Sequence, residues 1–235
     1  PPIPQHNAAV FFCGLENNAS KKAVYFKIMM YIISMSLVLK NIILNGKKRD
    51  ILIDGCRFQK IVPKIEAAAG DEVIDGSGKA VFPGFYNLHT HAAMSLLKGI
   101  GDDKELFSWL SQDIWPREAK FDADIIYAGT KLAVLEMVKS GTVFFSDMYF
   151  EQAAIMKAVA ECGIRAAVSI VGFDMFDPEQ TKQKIAATEA FLELFNPCPE
   201  RISKTLSIHS VYTVSEELIR YMAKTAEAYA LPLHI

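Results

Sequence analysis

Val81-Phe82-Pro83-Gly84-Phe85-Tyr86-Asn87-Leu88-His89-Thr90-His91 is the stretch on which the reading of this 235-residue chain turns. Val81, Phe82, Phe85 and Leu88 are apolar and suit one buried strand covered on both faces, with Pro83-Gly84 breaking the run and setting its entry. A strand has a period of two, so His89 and His91 point to the same side. Two neutral imidazoles held in that way can share one divalent metal, zinc or iron(II). A bare His-x-His leaves two readings open. It is a ligand pair at the mouth of a strand, or it is two ordinary polar residues leaving a strand for a loop, because two ligands do not complete a site of about four.

Working outward, the residues from 83 onward alternate strand and helix signals, which argues for parallel βα units. Strands are expected to end at His91, to run over Thr142–Asp147, Arg165–Val171 and Thr205–His209, and to begin again at Leu231. Asp122 caps a helix to about Lys139, with Ile126, Leu132, Leu135 and Val138 as its apolar stripe, closed by Ser140-Gly141. Asp177-Pro178 opens a later helix, and Thr213-Val214-Ser215-Glu216 fits a capping box for the last one. Phe85, Phe145, Val168 and Leu206 are expected inside the curve of the sheet. In such folds the site lies at the carboxyl ends of the strands. His89, His91, Asp147 and His209 all fall there.

Before this segment, residues 36–82 read as short strands between turns, a small antiparallel β unit with Asn45-Gly46 as its hairpin signal. Residues 1–35 read as a poorly ordered extension. Ala8–Leu15 lacks the cationic region of a signal peptide, and Lys27, Ser34 and Ser36 interrupt Ala23–Leu39 short of the roughly 20 apolar residues of a spanning helix. No membrane role is expected. The chain is 51% hydrophobic and 22% charged, as a globular protein with a core is. A net charge of −2 gives no basic field for nucleic acid. The scattered Cys13, Cys56, Cys162 and Cys198 form no CxxC pair, which points to idle thiols and a cytoplasmic location.

The order Pro83-Gly84-Phe85-x-Asn87-x-His89-Thr90-His91, continued by Ala92-Ala93-Met94-Ser95-Leu96-Leu97-Lys98-Gly99, resembles the first barrel strand of the amidohydrolase superfamily. Asp102-Asp103, Trp109-Leu110 and Ile114-Trp115-Pro116-Arg117-Glu118-Ala119 narrow the resemblance to the branch of S-adenosylhomocysteine and methylthioadenosine deaminases and triazine chlorohydrolases. It runs from about Ser36 to Ile235. The fold it implies is α/β: an incomplete (β/α)8 TIM barrel of about five strands over residues 83–235. The β unit of residues 36–82 is then part of a small sandwich domain.

The resemblance also implies a site. One divalent metal, zinc or iron, is held by His89 and His91. In the family a histidine of strand five and an aspartate of strand eight complete the set. Leu233-His234-Ile235 matches the family's Leu-His-Ile-His only as far as the isoleucine, so His234 reads as the neighbour two positions before the ligand; a register shift would instead make it a ligand. Ser207-Ile208-His209-Ser210 looks like the strand-four motif whose histidine bonds the substrate heterocycle. Trp109 matches a residue that walls the ligand, and Glu118 one that accepts from ribose hydroxyls. Apart from the resemblance, His209 reads as a structural histidine, Trp109 as core and Glu118 as a solvated surface residue. Asp147 supports the metal site from behind or caps the next helix.

The expected function is that of a metal-dependent hydrolytic deaminase of an aminopurine nucleoside, of the methylthioadenosine, adenosylhomocysteine or adenosine kind. The general acid and base are expected beyond Ile235, so no catalytic residue is assigned and the chain alone is expected to be inactive. The family's arginine late in strand three has no counterpart in Ser169-Ile170-Val171-Gly172, which favours an uncharged substrate tail. Two alternatives stand beside this. One is a triazine- or guanine-type amidohydrolase or chlorohydrolase, and the other is a non-catalytic remnant that binds a ligand. The expected partners are a small heterocyclic or nucleoside substrate and a second copy in a homo-oligomer.

Overall fold

A computed structural model describes residues 10–13, 36–194 and 198–235. The chain divides into two compact units, Pro1–Phe85 and Tyr86–Ile235. Apart from Val10–Cys13, the segment read as an N-terminal extension lies outside the described residues.

The first unit is a six-stranded sheet. Its strands are β1 (Val10–Cys13), β2 (Leu37–Leu44), β3 (Lys47–Asp54), β4 (Arg57–Val62), β5 (Glu72–Asp75) and β6 (Ala80–Pro83). The β2–β3 hairpin turns at Asn45-Gly46, both with positive φ (49° and 72°), as a two-residue turn matched to strand twist requires. The expected antiparallel unit is in fact mixed: β5 and β6 both run parallel to β2, while β3, β4 and β1 pair antiparallel to their neighbours. The long connection after β4 lets the chain return in the direction of β2, which no two-residue hairpin can do. Leu37, Leu39, Ile42, Ile51, Ile53 and Val81 form its core. Gly76 is fixed by that core, since a Cβ there would stand 2.0 Å from the Ile42 side chain.

The second unit is a five-stranded sheet in the order β11-β10-β9-β8-β7. Its strands are β7 (Phe85–Thr90), β8 (Thr142–Tyr149), β9 (Arg165–Gly172), β10 (Ile202–Ile208) and β11 (Leu233–His234). Strands β8 to β11 run parallel, and β7 lies beside β8. The helices between them are α1 (Ala123–Ser140), α2 (Gln152–Cys162), α3 (Pro178–Glu193) and α4 (Glu216–Ala228). Asp122 caps α1 by accepting from the Ile125 N–H, and Gly141 ends it at φ 96°. None of these helices is long and apolar enough to cross a membrane, among the described residues.

The two faces of this sheet differ. Register puts Phe145, Val168, Ile170, Leu206 and Ile208 on one face, in one buried cluster with Ile126, Ile155, Val159, Leu218 and Met222 of the helices. The other face carries Ser146, Ser169, Thr205, Ser207 and the histidines. That face is strongly concave. Flat strands lie about 4.8 Å apart, so β8 and β11, three steps apart, could not touch. Yet Ser146 Oγ lies 3.3 Å from His234 Nδ1. A sheet that curls so tightly is an arc of a barrel.

Several expectations are corrected here. Val81–His91 is not one buried strand: Ala80–Pro83 belongs to the first sheet and Phe85–Thr90 to the second. Phe85 and Leu88 are 64% and 63% exposed, because β7 is an edge strand with β8 as its neighbour, and Phe82 of β6 is 56% exposed. Phe145, Val168 and Leu206 face the helices rather than the concave side. The buried face of α1 is Ile126, Gly129, Thr130, Ala133 and Val134, leaving Leu132 and Leu135 outside; the small residues let the helix approach the sheet closely. The last helix is capped by Ser215 and not from Thr213, because buried Asp174 accepts from both the Ser215 N–H and its hydroxyl and fixes it as the first turn.

Candidate active site

The carboxyl ends of β7 and β10 and the end of β11 bring four imidazoles onto the concave face. His89 lies 5.1 Å from His91 and 5.4 Å from His234, ring centre to ring centre, both edge-on. His209, directly after β10, stacks on His91 at 5.7 Å, and Phe173 meets it edge-on.

The end of β7 is held from β8 by side chains. Asp147 is fully buried, and its Oδ1 accepts from the Thr90 hydroxyl and the Ala92 N–H, both at 2.8 Å. These two residues flank His91. The Thr90 hydroxyl also reaches the Ser146 carbonyl at 2.9 Å. Asp147 therefore supports the histidine segment; α2 is instead entered through Glu151, in the left-handed region at φ 56°. Burial pushes the Asp147 carboxyl up to about 6, against the opposing effect of the two donors, and its Oδ2 is buried without a partner among the described residues. Behind the site, the 3-10 turn Ala92–Leu97 packs so closely on α1 that a Cβ at Gly129 would stand 2.7 Å from the Ala93 carbonyl.

His91 Nδ1 lies 2.7 Å from the Met148 carbonyl. A carbonyl only accepts, so Nδ1 carries the proton and Nε2 keeps its lone pair. Burial holds the pKa of His91, His209 and His234 below the ordinary imidazole value, which favours the neutral, ligating form at pH 7. The donor chemistry therefore fits a divalent metal at His89 and His91, with the carbonyl bond fixing the His91 tautomer. Two donors are what the pair offers. Among the described residues, no three His, Cys, Asp or Glu side chains converge closely enough to hold a metal ion.

Glu118 is brought to the same group indirectly. Pro116 has no N–H to return to Gln112, and the helical stretch Leu106–Glu118 widens into a π turn over Leu110–Ile114. Beyond that turn the half-buried Glu118 accepts the Tyr149 hydroxyl, and Tyr149 lies 6.0 Å from the His91 ring. Burial raises the Glu118 pKa, while the phenol opposes the rise.

Trp109 sits elsewhere. Its indole N–H donates to the Ile100 carbonyl at 2.7 Å, and it lines a cavity of about 520 Å³ with Met94, Leu97, Ile100 and Leu106. Gly101 allows this packing, since a Cβ there would stand 2.6 Å from the indole. His89, His91, His209 and Glu118 are thus gathered around β8, and the cavity beside Trp109 is lined by none of them.

Sequence reasoning missed the contribution of Met148 and Tyr149. It ended β8 at Asp147, two residues early. Alternation along Asp147-Met148-Tyr149 was the signal that could have found them.

Residues 80–235 match the Amidohydrolase family. A 5'-deoxyadenosine deaminase of Methanocaldococcus jannaschii is 41% identical over 201 residues, which are 85% of this chain and 48% of that protein. A 5-methylthioadenosine/S-adenosylhomocysteine deaminase of Archaeoglobus fulgidus is 45% identical over 186 residues, 79% of this chain and 43% of that protein. The chain spans about half the length of these relatives. The fold is also that of an adenosine deaminase from Xanthomonas campestris solved with bound zinc, at a TM-score of 0.70 and 23% identity, covering 86% of this chain and 48% of that one. A curled parallel sheet with its histidines at the carboxyl ends, and a family match across that sheet, have one conclusion: the chain belongs to the amidohydrolase family.

Proposed function

We propose that the protein is a metal-dependent hydrolytic deaminase acting on an aminopurine nucleoside whose 5' end is uncharged, and that these residues form the binding half of its site. The observation that carries the reading is the meeting of His89, His91 and His209, from the ends of two different strands, on the concave face of one parallel sheet. A bound zinc or iron supplies Lewis-acid activation of water for displacement of the ring amine. His89 and His91 hold the metal. His209, whose Nδ1 is buried without a partner among the described residues, donates to a ring nitrogen as the heterocycle gains charge. Glu118 accepts from the sugar hydroxyls.

The uncharged tail is supported by the loop that leaves β9. Ser169–Pro178 holds no Lys or Arg, and Arg165 stands at the opposite, amino end of that strand. The name of the first relative above, a 5'-deoxyadenosine deaminase, supports an uncharged 5' end, while the name of the second covers adenosylhomocysteine beside methylthioadenosine. Assay of the full-length protein with 5'-deoxyadenosine, methylthioadenosine, adenosylhomocysteine and guanine tests the reading. The expected order places the first two ahead of adenosylhomocysteine, with loss of activity on chelation and recovery with zinc. Turnover of guanine alone would overturn it.

A further inference from the structure

We infer that Tyr149 is a positioning residue that aims the Glu118 carboxylate at the sugar, and so makes the site selective for ribosides over their deoxy counterparts. The inference rests on the nucleoside reading above. Tyr149 ends β8 and is 4% exposed. Its ring is fixed on one side by Phe150, stacked at 4.0 Å and 22°, and stands 6.0 Å from His91. From that fixed place its hydroxyl donates to Glu118 Oε1.

Glu118 needs such a partner. It lies at the end of the irregular Leu106–Glu118 stretch, in a short helix, Trp115–Glu118, that buries none of its residues. A glutamate has three side-chain torsions, and ordering it costs entropy that a bond must offset. A phenol that donates to one oxygen holds the carboxylate in one orientation and leaves Oε2 to accept from a diol. The tyrosine hydroxyl thus touches neither the reacting carbon nor the metal. Its effect belongs to binding, and it depends on sugar hydroxyls being present.

Removing only the hydroxyl, by Tyr149→Phe, keeps the ring and its stacking on Phe150. In the full-length protein the KM for 5'-deoxyadenosine is expected to rise about tenfold with kcat changed by less than about twofold, the signature of lost ground-state binding. The KM for the 2',3'-dideoxy analogue is expected to stay unchanged. A purely structural tyrosine would move both substrates alike. Glu118→Asp is the second variant, since it withdraws the carboxylate from Tyr149 by one methylene at unchanged charge. It should give the same riboside-specific rise, and Tyr149→Phe should add nothing in that background. Equal effects on both substrates, no effect, or additive effects of the two changes would each overturn the inference while leaving the deaminase reading intact. A wild-type protein that deaminates no riboside would overturn both.

Discussion

The two faces of the parallel sheet are built from the same five strands and have opposite chemistry. The face toward the helices is Phe145, Val168, Ile170, Leu206 and Ile208, closed by apolar helix residues. The concave face carries Ser146, Ser169 and Ser207, ringed by the histidines: the Ser169 and Ser207 hydroxyls bond the neighbouring backbone and each other, and the Ser146 hydroxyl meets His234. One face is held by burial and the other by short-range polar bonding, with function placed on the second. Small hydroxyl side chains take little of the space inside an arc, and they leave room for a ligand above them. Asp147 joins the two faces, since it stands in register with Val168 on the helix side and bonds the segment that carries His91.

The largest break in this comparison is expected on the concave face. Replacing both His89 and His91 by alanine in the full-length protein should abolish tight zinc binding, read by metal analysis after dialysis. Full stoichiometric metal in the double variant would remove the pair from the ligand set. Next comes a contrast of stability between the faces. Leu206→Ala, at a fully buried position against the helices, should cost about 3 kcal/mol or more, whereas Ser169→Ala on the opposite face should cost about 1 kcal/mol. Denaturant unfolding followed by circular dichroism measures both, and equal losses would show that the faces are not held by different forces.

Asp147 sharpens the comparison through pH. Its carboxyl titrates at about 6 in the fold against 3.8 when free. A raised value means that the fold favours the protonated form. The contribution of Asp147 is therefore fully present below pH ~4 and is lost as pH rises to about 6, by roughly 3 kcal/mol. The buried imidazoles have the opposite sign, because their lowered pKa values make folding less favourable as pH falls. Subtracting the stability curve of Asp147→Asn from that of the wild type isolates the carboxyl. A difference that is flat between pH 4 and 6 would place Asp147 in contact with solvent. The smallest effect is one of specificity. Arginine at Val171, on the concave face beside Ser207, should improve adenosylhomocysteine relative to methylthioadenosine by a few fold. The same change at Ile170 should only damage the core, since that side chain is buried among the helices. Relative kcat/KM values for the two substrates read the outcome.

Much of this was legible in the chain. The cap at Asp122, the stop at Gly141 and the Asn45-Gly46 turn are local, and their geometry follows from one or two residues. His89 and His91 share a side because strands have a period of two. The family resemblance, through separate stretches, also pointed to Glu118 and His209 as candidates. What failed was parity. Phe144 and Phe145, or Ile170 and Val171, look alike as neighbours in an apolar parallel strand, and nothing local says which of them faces the helices. The exposed β7 was misread for a related reason, because an edge strand and a central strand can have the same apolar composition.

The sequence by itself determined the order of strands and helices, the caps at Asp122 and Asp177, and the identity of the side chains able to ligate, donate and accept. Those properties depend on a few consecutive residues. Only the tertiary structure decided that β8 and β11 curl until Ser146 meets His234, that Asp147 reaches across to Thr90 and Ala92, and that Tyr149, near the His91 ring, bonds Glu118. These contacts join residues 31 to 88 positions apart. They are set by sheet curvature and by which side of each strand the helices cover, and those are properties of the packed whole.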